Sequence, residues 1–144
     1  MEMPFTIIEN ERFSITTDAI KYDAIYLLDK STNTVIVDNK VNKADGVVIL
    51  YEGIKGLQTD EINYVYPGMA IKLVDNSGKV ILENKNMLDT YSALGFKHAD
   101  VEQRLPINIA FKDAPIENPV KLTATLFDLK SEHKLVLETD LEVN

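Results

Sequence analysis

One phrase recurs three times along this chain: two apolar residues, an Asp, a short polar stretch containing Ser, then an apolar triplet closed by an acid. It runs from Leu27-Leu28-Asp29-Lys30-Ser31 into Val35-Ile36-Val37-Asp38, and from Leu73-Val74-Asp75-Asn76-Ser77-Gly78-Lys79 into Val80-Ile81-Leu82-Glu83. The third copy runs from Leu126-Phe127-Asp128-Leu129-Lys130-Ser131 into Leu135-Val136-Leu137-Glu138. Asp, Asn and Ser bond their own backbone in turns, and β-branched and Leu runs suit a pleated surface, so each copy reads as a β-hairpin. The phrase dictates strands and turns and carries no chemistry of its own.

The first two copies are alike beyond the turn. Ala24-Ile25-Tyr26-Leu27-Leu28-Asp29 aligns with Ala70-Ile71-Lys72-Leu73-Val74-Asp75, and after a one-residue gap Val35 to Lys40 aligns with Val80 to Lys85. Convergence on good hairpin chemistry explains this more simply than duplication, and the irregular spacing excludes a solenoid or propeller.

Period-two patterning extends the β reading. Met69, Ile71 and Leu73 alternate with Ala70, Lys72 and Val74, while Leu105, Ile107, Ile109 and Phe111 share one face of a later strand. Val120, Leu122, Ala124 and Leu126 share one face of the next, and Leu135, Leu137, Thr139, Leu141 and Val143 do so in the last, with Glu138, Asp140 and Glu142 opposite. Val47-Val48-Ile49-Leu50-Tyr51 is apolar on both faces, which suits a central strand. Short strands are also expected at residues 5–8 and 12–16. The exception is Met87 to Leu94, where Met87, Leu88, Tyr91 and Leu94 fall at helical spacing, with Asn86 as N-cap and Gly95 as stop. A second helical turn is expected from Asp100, in capping-box spacing with Gln103, until Pro106. The two pieces are expected to form a crossover between sheets, closing one end.

These patterns predict an all-β fold: a two-sheet β-sandwich of roughly seven to nine strands, immunoglobulin-like or of related Greek-key topology, with one short crossover helix. The chain of 144 residues shows no linker or low-complexity stretch, so residues 1–144 are read as a single domain.

Composition narrows the function classes. A net charge of -8 with scattered lysines disfavours nucleic acid and anionic membrane surfaces, because phosphate neutralisation needs clustered Lys and Arg. The absence of Cys removes disulfides, thiolate zinc sites and a cysteine nucleophile. The longest apolar run, Val47 to Tyr51, is far too short to span a bilayer, so no membrane insertion by this chain is expected. Met1-Glu2-Met3-Pro4 lacks the features of a signal peptide, which places any export signal upstream.

No catalytic residue, cofactor or metal site is expected. Gly53-Ile54-Lys55-Gly56 lacks the length and the terminal Lys-Ser/Thr of a phosphate loop. Ser131 and His133 invite a nucleophile–base reading, but turn residues are polar for local reasons and no oxyanion donor accompanies them. Asp75-Asn76-Ser77-Gly78 resembles the start of a calcium loop without the later ligands, and Glu83 is at the wrong offset. Glu138, Asp140 and Glu142 lie about 7 Å apart along one strand face, as on a solvated surface.

The remaining signal is aromatic. Tyr64 and Tyr66 point to one face beside the Pro67-Gly68 turn, and Tyr51, Tyr91 and Phe96 are expected to gather near them if the crossover caps that end. Tyrosines near loops offer a large apolar plate with a polar tip. The candidate ligand-binding residues are therefore Tyr64, Tyr66, Tyr91, Phe96 and His98. The structural alternative makes Tyr91 and Leu94 a buried lid.

The run from Val65-Tyr66-Pro67-Gly68-Met69 through the Asp75 to Lys79 hairpin, the Met87-Leu88 turn and the strands ending at Leu126 to Ser131 resembles small immunoglobulin-like β-sandwich domains of bacterial secreted or surface lipoproteins of unknown function. It covers a little more than the second half of the chain. The resemblance implies an extracytoplasmic setting, periplasm or cell surface, with a lipid anchor upstream; an authentic start at Met1 would make the chain cytoplasmic instead. The leading expectation is a non-catalytic binding or interaction module, monomeric or weakly oligomeric, for a protein or glycan partner. A structural subunit assembling by sheet-edge pairing and a hydrolase using two carboxylates from distant strands are the alternatives.

Overall fold

The computed structural model describes residues 12–144; the strand expected at residues 5–8 lies outside them. The chain forms β1 (Ser14–Thr17), β2 (Ala24–Asp29), β3 (Val35–Ile36), β4 (Lys40–Val41), β5 (Val47–Glu52), β6 (Tyr64–Val65), β7 (Pro67–Val74) and β8 (Val80–Asn84). A 3₁₀ helix (Asp89–Tyr91), β9 (Phe96–Lys97) and α1 (His98–Gln103) follow, then β10 (Leu105–Ile109), β11 (Val120–Asp128) and β12 (Lys134–Val143). Of these twelve strands, β3, β4, β6 and β9 are two-residue pairings, and the eight longer ones build the expected all-β sandwich.

Two sheets face each other. One has the order β1-β12-β11-β7-β8, with β4 also pairing β12; the other has the order β10-β5-β2-β3. Their facing side chains follow the period-two phases. Met69, Ile71, Leu73, Leu122, Leu126, Leu135 and Leu137 line one sheet, and Leu27, Ile49, Tyr51 and Ile109 the other, all no more than 1% exposed. The β5 run is apolar on both faces because β5 is central, between β10 and β2, and Leu50 is buried on the side away from the shared core.

The sheet edges are short, interrupted or covered. β12 carries β1 along residues 135–138 and β4, in parallel, at residues 142–143. Asn39 fills the break: its side-chain amide donates to Thr139 Oγ1 at 2.7 Å and to the Asp140 carbonyl at 2.8 Å, and its backbone carbonyl accepts the Glu142 N–H. Thr139, on the apolar face of β12, is thereby satisfied although buried. β8 is bulged, since Leu73 faces Leu82 and Val74 faces Val80, leaving Ile81 extra. β10 has Pro106 within it, and a missing N–H is tolerated on an edge strand.

All three recurring phrases are hairpins. β2 turns into β3, β7 into β8 and β11 into β12. In each the Asp carboxylate gathers the turn. Asp29 Oδ1 accepts the Ser31 N–H and hydroxyl, and Asp75 Oδ1 accepts the same pair from Ser77 together with the Lys79 N–H. Asp128 accepts the Lys130 N–H and the Ser131 hydroxyl.

The crossover connects β8 of one sheet to β10 of the other, as expected, but its helices differ in detail. The segment expected to be helical from Met87 to Leu94 holds only the 3₁₀ helix: the Asp89, Tyr91 and Ser92 N–H groups bond the carbonyls three residues back, of Asn86, Leu88 and Asp89. Asn86 Oδ1 accepts the Leu88 N–H as an N-cap does, but it also takes the Met69 N–H, and the Met87 N–H bonds the Met69 carbonyl, so the start of the segment is fastened to β7. Gly95 does stop the turn, at φ +68°. In α1 the N-cap position is Lys97, so Asp100 sits inside the first turn and makes no capping box. The end of the sandwich is plugged by Leu88 and Val101, and Tyr91 and Leu94, at 49% and 73% exposed, form no buried lid.

Candidate functional site

Three segments meet at the aromatic end of the molecule: residues 58–66, the turn of the third hairpin, and residues 91–98. The β6–β9 ladder sets the geometry, pairing Tyr64 with Lys97 and Val65 with Phe96. Opposed residues in an antiparallel pair point to the same side. Val65 is fully buried and Phe96 packs against the core, so both face inward, and Tyr64 faces outward with Lys97. Tyr66 continues on the side of Tyr64.

Tyr66 is the most constrained of the five candidates. Its hydroxyl donates to Asp60 Oδ2 at 2.6 Å, and its ring lies against Gly95, where a Cβ would stand 2.6 Å from Cε2. Lys130 Nζ sits 4.8 Å from the ring centroid, a cation–π distance, and the Tyr66 carbonyl accepts the Leu129 N–H. The phenol hydrogen bond holds the Asp60 carboxyl below its usual range and pushes the Tyr66 phenol up. Asp60 Oδ1 also accepts the Ile62 and Tyr64 N–H groups, so one carboxylate shapes the loop that presents both tyrosines.

Tyr91 and Phe96 are brought together, their ring centroids 5.1 Å apart at 44°. His98 opens α1, its N–H bonded to the Asn63 carbonyl and its Nδ1 3.9 Å from Glu102 Oε1, so it addresses the helix rather than the tyrosines. Tyr51, expected near this end, lies in the core instead: it is fully buried, its hydroxyl 4.0 Å from Met69 Sδ, and burial pushes its phenol pKa up. The inward phase of β5 at position 51 decides this. Ile62 at 70% exposed and Leu129 at 39% exposed lie in the segments that meet at this end, as do Tyr91 and Leu94. These apolar neighbours were missed because loop residues carry no periodic pattern to read.

Ser131 Oγ accepts the His133 backbone N–H at 3.3 Å, but the imidazole is directed elsewhere. The Ser131 hydroxyl donates to Asp128, whereas the His133 ring meets Asp18 Oδ2 at 3.2 Å. Asp75 uses its carboxylate on its own turn and on the Glu117 N–H, so it acts as a turn cap. Glu138 pairs with Lys121 at 3.2 Å on a solvated strand face. Among the described residues, no group of three His, Asp or Glu is placed to hold a metal ion, and no helix is long and apolar enough to cross a membrane.

No family model matches the chain, and no curated protein matches it.

Proposed function

We propose that this chain is a non-catalytic interaction module that captures a protein partner on its aromatic end. The observation that carries the reading is the concentration of exposed apolar side chains there: Ile62, Tyr91, Leu94 and Leu129 beside the outward Tyr64 and Tyr66. Exposed apolar groups gathered at one place, rimmed by Lys97, Lys130 and Asp60, have the composition of a recognition surface. Tyr66 is preorganised by its bonds to Asp60 and its seat on Gly95, which lowers the ordering cost of binding.

The setting we infer is an exported bacterial protein, with the lipid-anchored surface or the periplasm as its location, on the strength of the resemblance of the second half. Assembly by strand addition has less support. The β12 edge is covered, β8 is bulged and β10 contains Pro106.

A photo-crosslinking residue placed at Leu94 or Tyr91 in the source cell tests the reading, with the same residue at Val80 on the β8 edge as control. One discrete protein adduct is expected from the first two positions and none from Val80, and Tyr64→Ala should abolish it without lowering stability. Tyr66→Ala is the poorer probe because it also removes structural bonds. Adducts equally strong at Val80, or unaffected by Tyr64→Ala, would remove the proposed site. A strictly cytosolic distribution on cell fractionation would remove the proposed setting.

A further inference from the structure

The outer face of the four-stranded sheet holds a second feature, built from residues that the aromatic end does not use. Ala24 pairs with Glu52 and Tyr26 with Leu50, so Tyr26 and Glu52 are diagonal neighbours on that face, and burial together with the Glu52 carboxylate pushes the Tyr26 phenol up. Past the end of β5 the face is walled by the last turn of α1. The Gly53 N–H bonds the Glu102 backbone carbonyl at 2.7 Å and ties wall to floor, while the exposed Lys55 Nζ, 3.6 Å from the Glu102 carboxylate, adds little. Between them is an open cleft of about 730 Å³ lined by Tyr22, Asp23, Tyr26, Glu52, Glu102 and Gln103.

The two tyrosines supply the distinguishing chemistry. Both are half-buried, Tyr22 against the core, so their rings are backed by protein and present fixed apolar surface. Around them stand three acceptor-only carboxylates and one primary amide, with Lys55 and His98 reaching Glu102 alone of the three. A purely apolar ligand would strip water from those carboxylates without pairing them, which is costly. An anionic ligand would meet like charge. A pyranose satisfies both halves: its C–H face lies on a phenol ring, and its hydroxyls donate to carboxylates in charge-assisted hydrogen bonds.

We propose that this cleft is a saccharide subsite for uncharged pyranoses. Tyr26 forms the stacking floor, Tyr22 the second plate, and Asp23, Glu52 and Glu102 accept the hydroxyls, with Gln103 able to donate and accept at the lip. The subsite shares no residue with the protein-capturing surface, so either can fail alone.

Titration of the intact chain, followed by nuclear magnetic resonance of the tyrosine rings, tests this with cellotetraose, maltotetraose and chitotetraose as uncharged probes and tetragalacturonate as the anionic one. At least one uncharged probe should shift Tyr22 and Tyr26 saturably, with a dissociation constant of about 1 mM or tighter. Tetragalacturonate should not. Tyr26→Ala should weaken binding about tenfold or more, and Glu102→Gln, on the cleft wall, should weaken it while leaving the unfolding midpoint in place. Tyr64→Ala should change nothing in this titration. No saturable shift with any uncharged probe, equal binding of tetragalacturonate, or full affinity in both Tyr26→Ala and Glu102→Gln would overturn the proposal. A response to spermidine without any to the saccharides would also overturn it, reassigning the cleft to cations.

Discussion

The first and second hairpins start from almost the same words and take on different roles. In both, the Asp carboxylate gathers the Ser N–H and hydroxyl, and a left-handed residue, Asn33 at φ 59° or Gly78 at φ 88°, returns its N–H to the Asp carbonyl. Among the described residues, the Asp29 carboxylate reaches no further than Thr32. Asp75 is buried, and its second oxygen takes the N–H of Glu117, while the Asn76 N–H bonds the Glu117 carbonyl. That turn is fastened to the segment entering β11. The third hairpin is fastened in the same manner, through Asp128 Oδ2 and the Gln58 N–H at 2.8 Å. A turn motif closes its own hairpin wherever it stands; burial decides whether its spare oxygen also anchors a distant loop.

The ceiling for any turn effect is set by the strands. Leu137 and Ile109 are fully buried, so truncation of either to Ala should cost about 2–5 kcal/mol in urea denaturation, whereas Glu138→Ala should be nearly silent. Equal effects at Leu137 and Glu138 would reverse the assigned faces of β12.

Asp128→Ala should come next, at about 1.5–3 kcal/mol, because it strands the Gln58 N–H as well as its own turn donors. Asp29→Ala should cost less, since only its own turn is lost. If the two variants unfold at the same denaturant concentration, the long-range bond adds nothing and the contrast between the hairpins collapses.

Gly78→Val isolates the backbone. A Cβ there would meet nothing within 4 Å, so the cost is the left-handed conformation alone, about 1 kcal/mol. Gly78→Asn should recover most of it, because the first hairpin seats Asn33 at the equivalent place. An unchanged midpoint for Gly78→Val would mean the turn rearranges.

A further contrast is set by acid. The Ser77 hydroxyl, helped by the Glu117, Lys79 and Ser77 N–H groups against the opposing effect of desolvation, holds the Asp75 carboxyl down from 3.8 to about 2. A depressed carboxyl stabilises the fold fully above its unfolded value, and that contribution fades as pH falls through the folded one. Stability should therefore decline between about pH 4 and pH 2, and Asp75→Asn should flatten this part of the curve. A decline of the same steepness in Asp75→Asn would assign it to Asp29, Asp18 and Asp60, whose carboxyls are also held down.

The helical spacing of Met87, Leu88, Tyr91 and Leu94 was legible and led only to a 3₁₀ turn, in which N–H groups reach back three residues after Asn86 and Met87 are tied to Met69 of β7. Of the candidate site, the common face of Tyr64 and Tyr66 could be read from their separation by two. The inward turn of Phe96 could not, since it depends on pairing with Val65 across a gap of thirty-one residues. The cleft tyrosines were hidden for a similar reason. Tyr26 stands where the second copy of the phrase has Lys72, a departure visible in the sequence, but its neighbours Glu52 and Glu102 reach it only through tertiary contact.

By itself the sequence determined where the chain turns and which side of each long strand is apolar. Both follow from interactions within a few residues: carboxylates bonding the next N–H groups, and side chains alternating with the pleat. Which sheet a strand joins was decided by the tertiary structure alone. β2 and β7 carry nearly the same residues, yet β2 lies beside β5 and β7 beside β11, because partner choice is settled by burial against strands far away in the chain. The same long-range burial turned Asp75 and Asp128 into anchors and left Asp29 a simple turn residue.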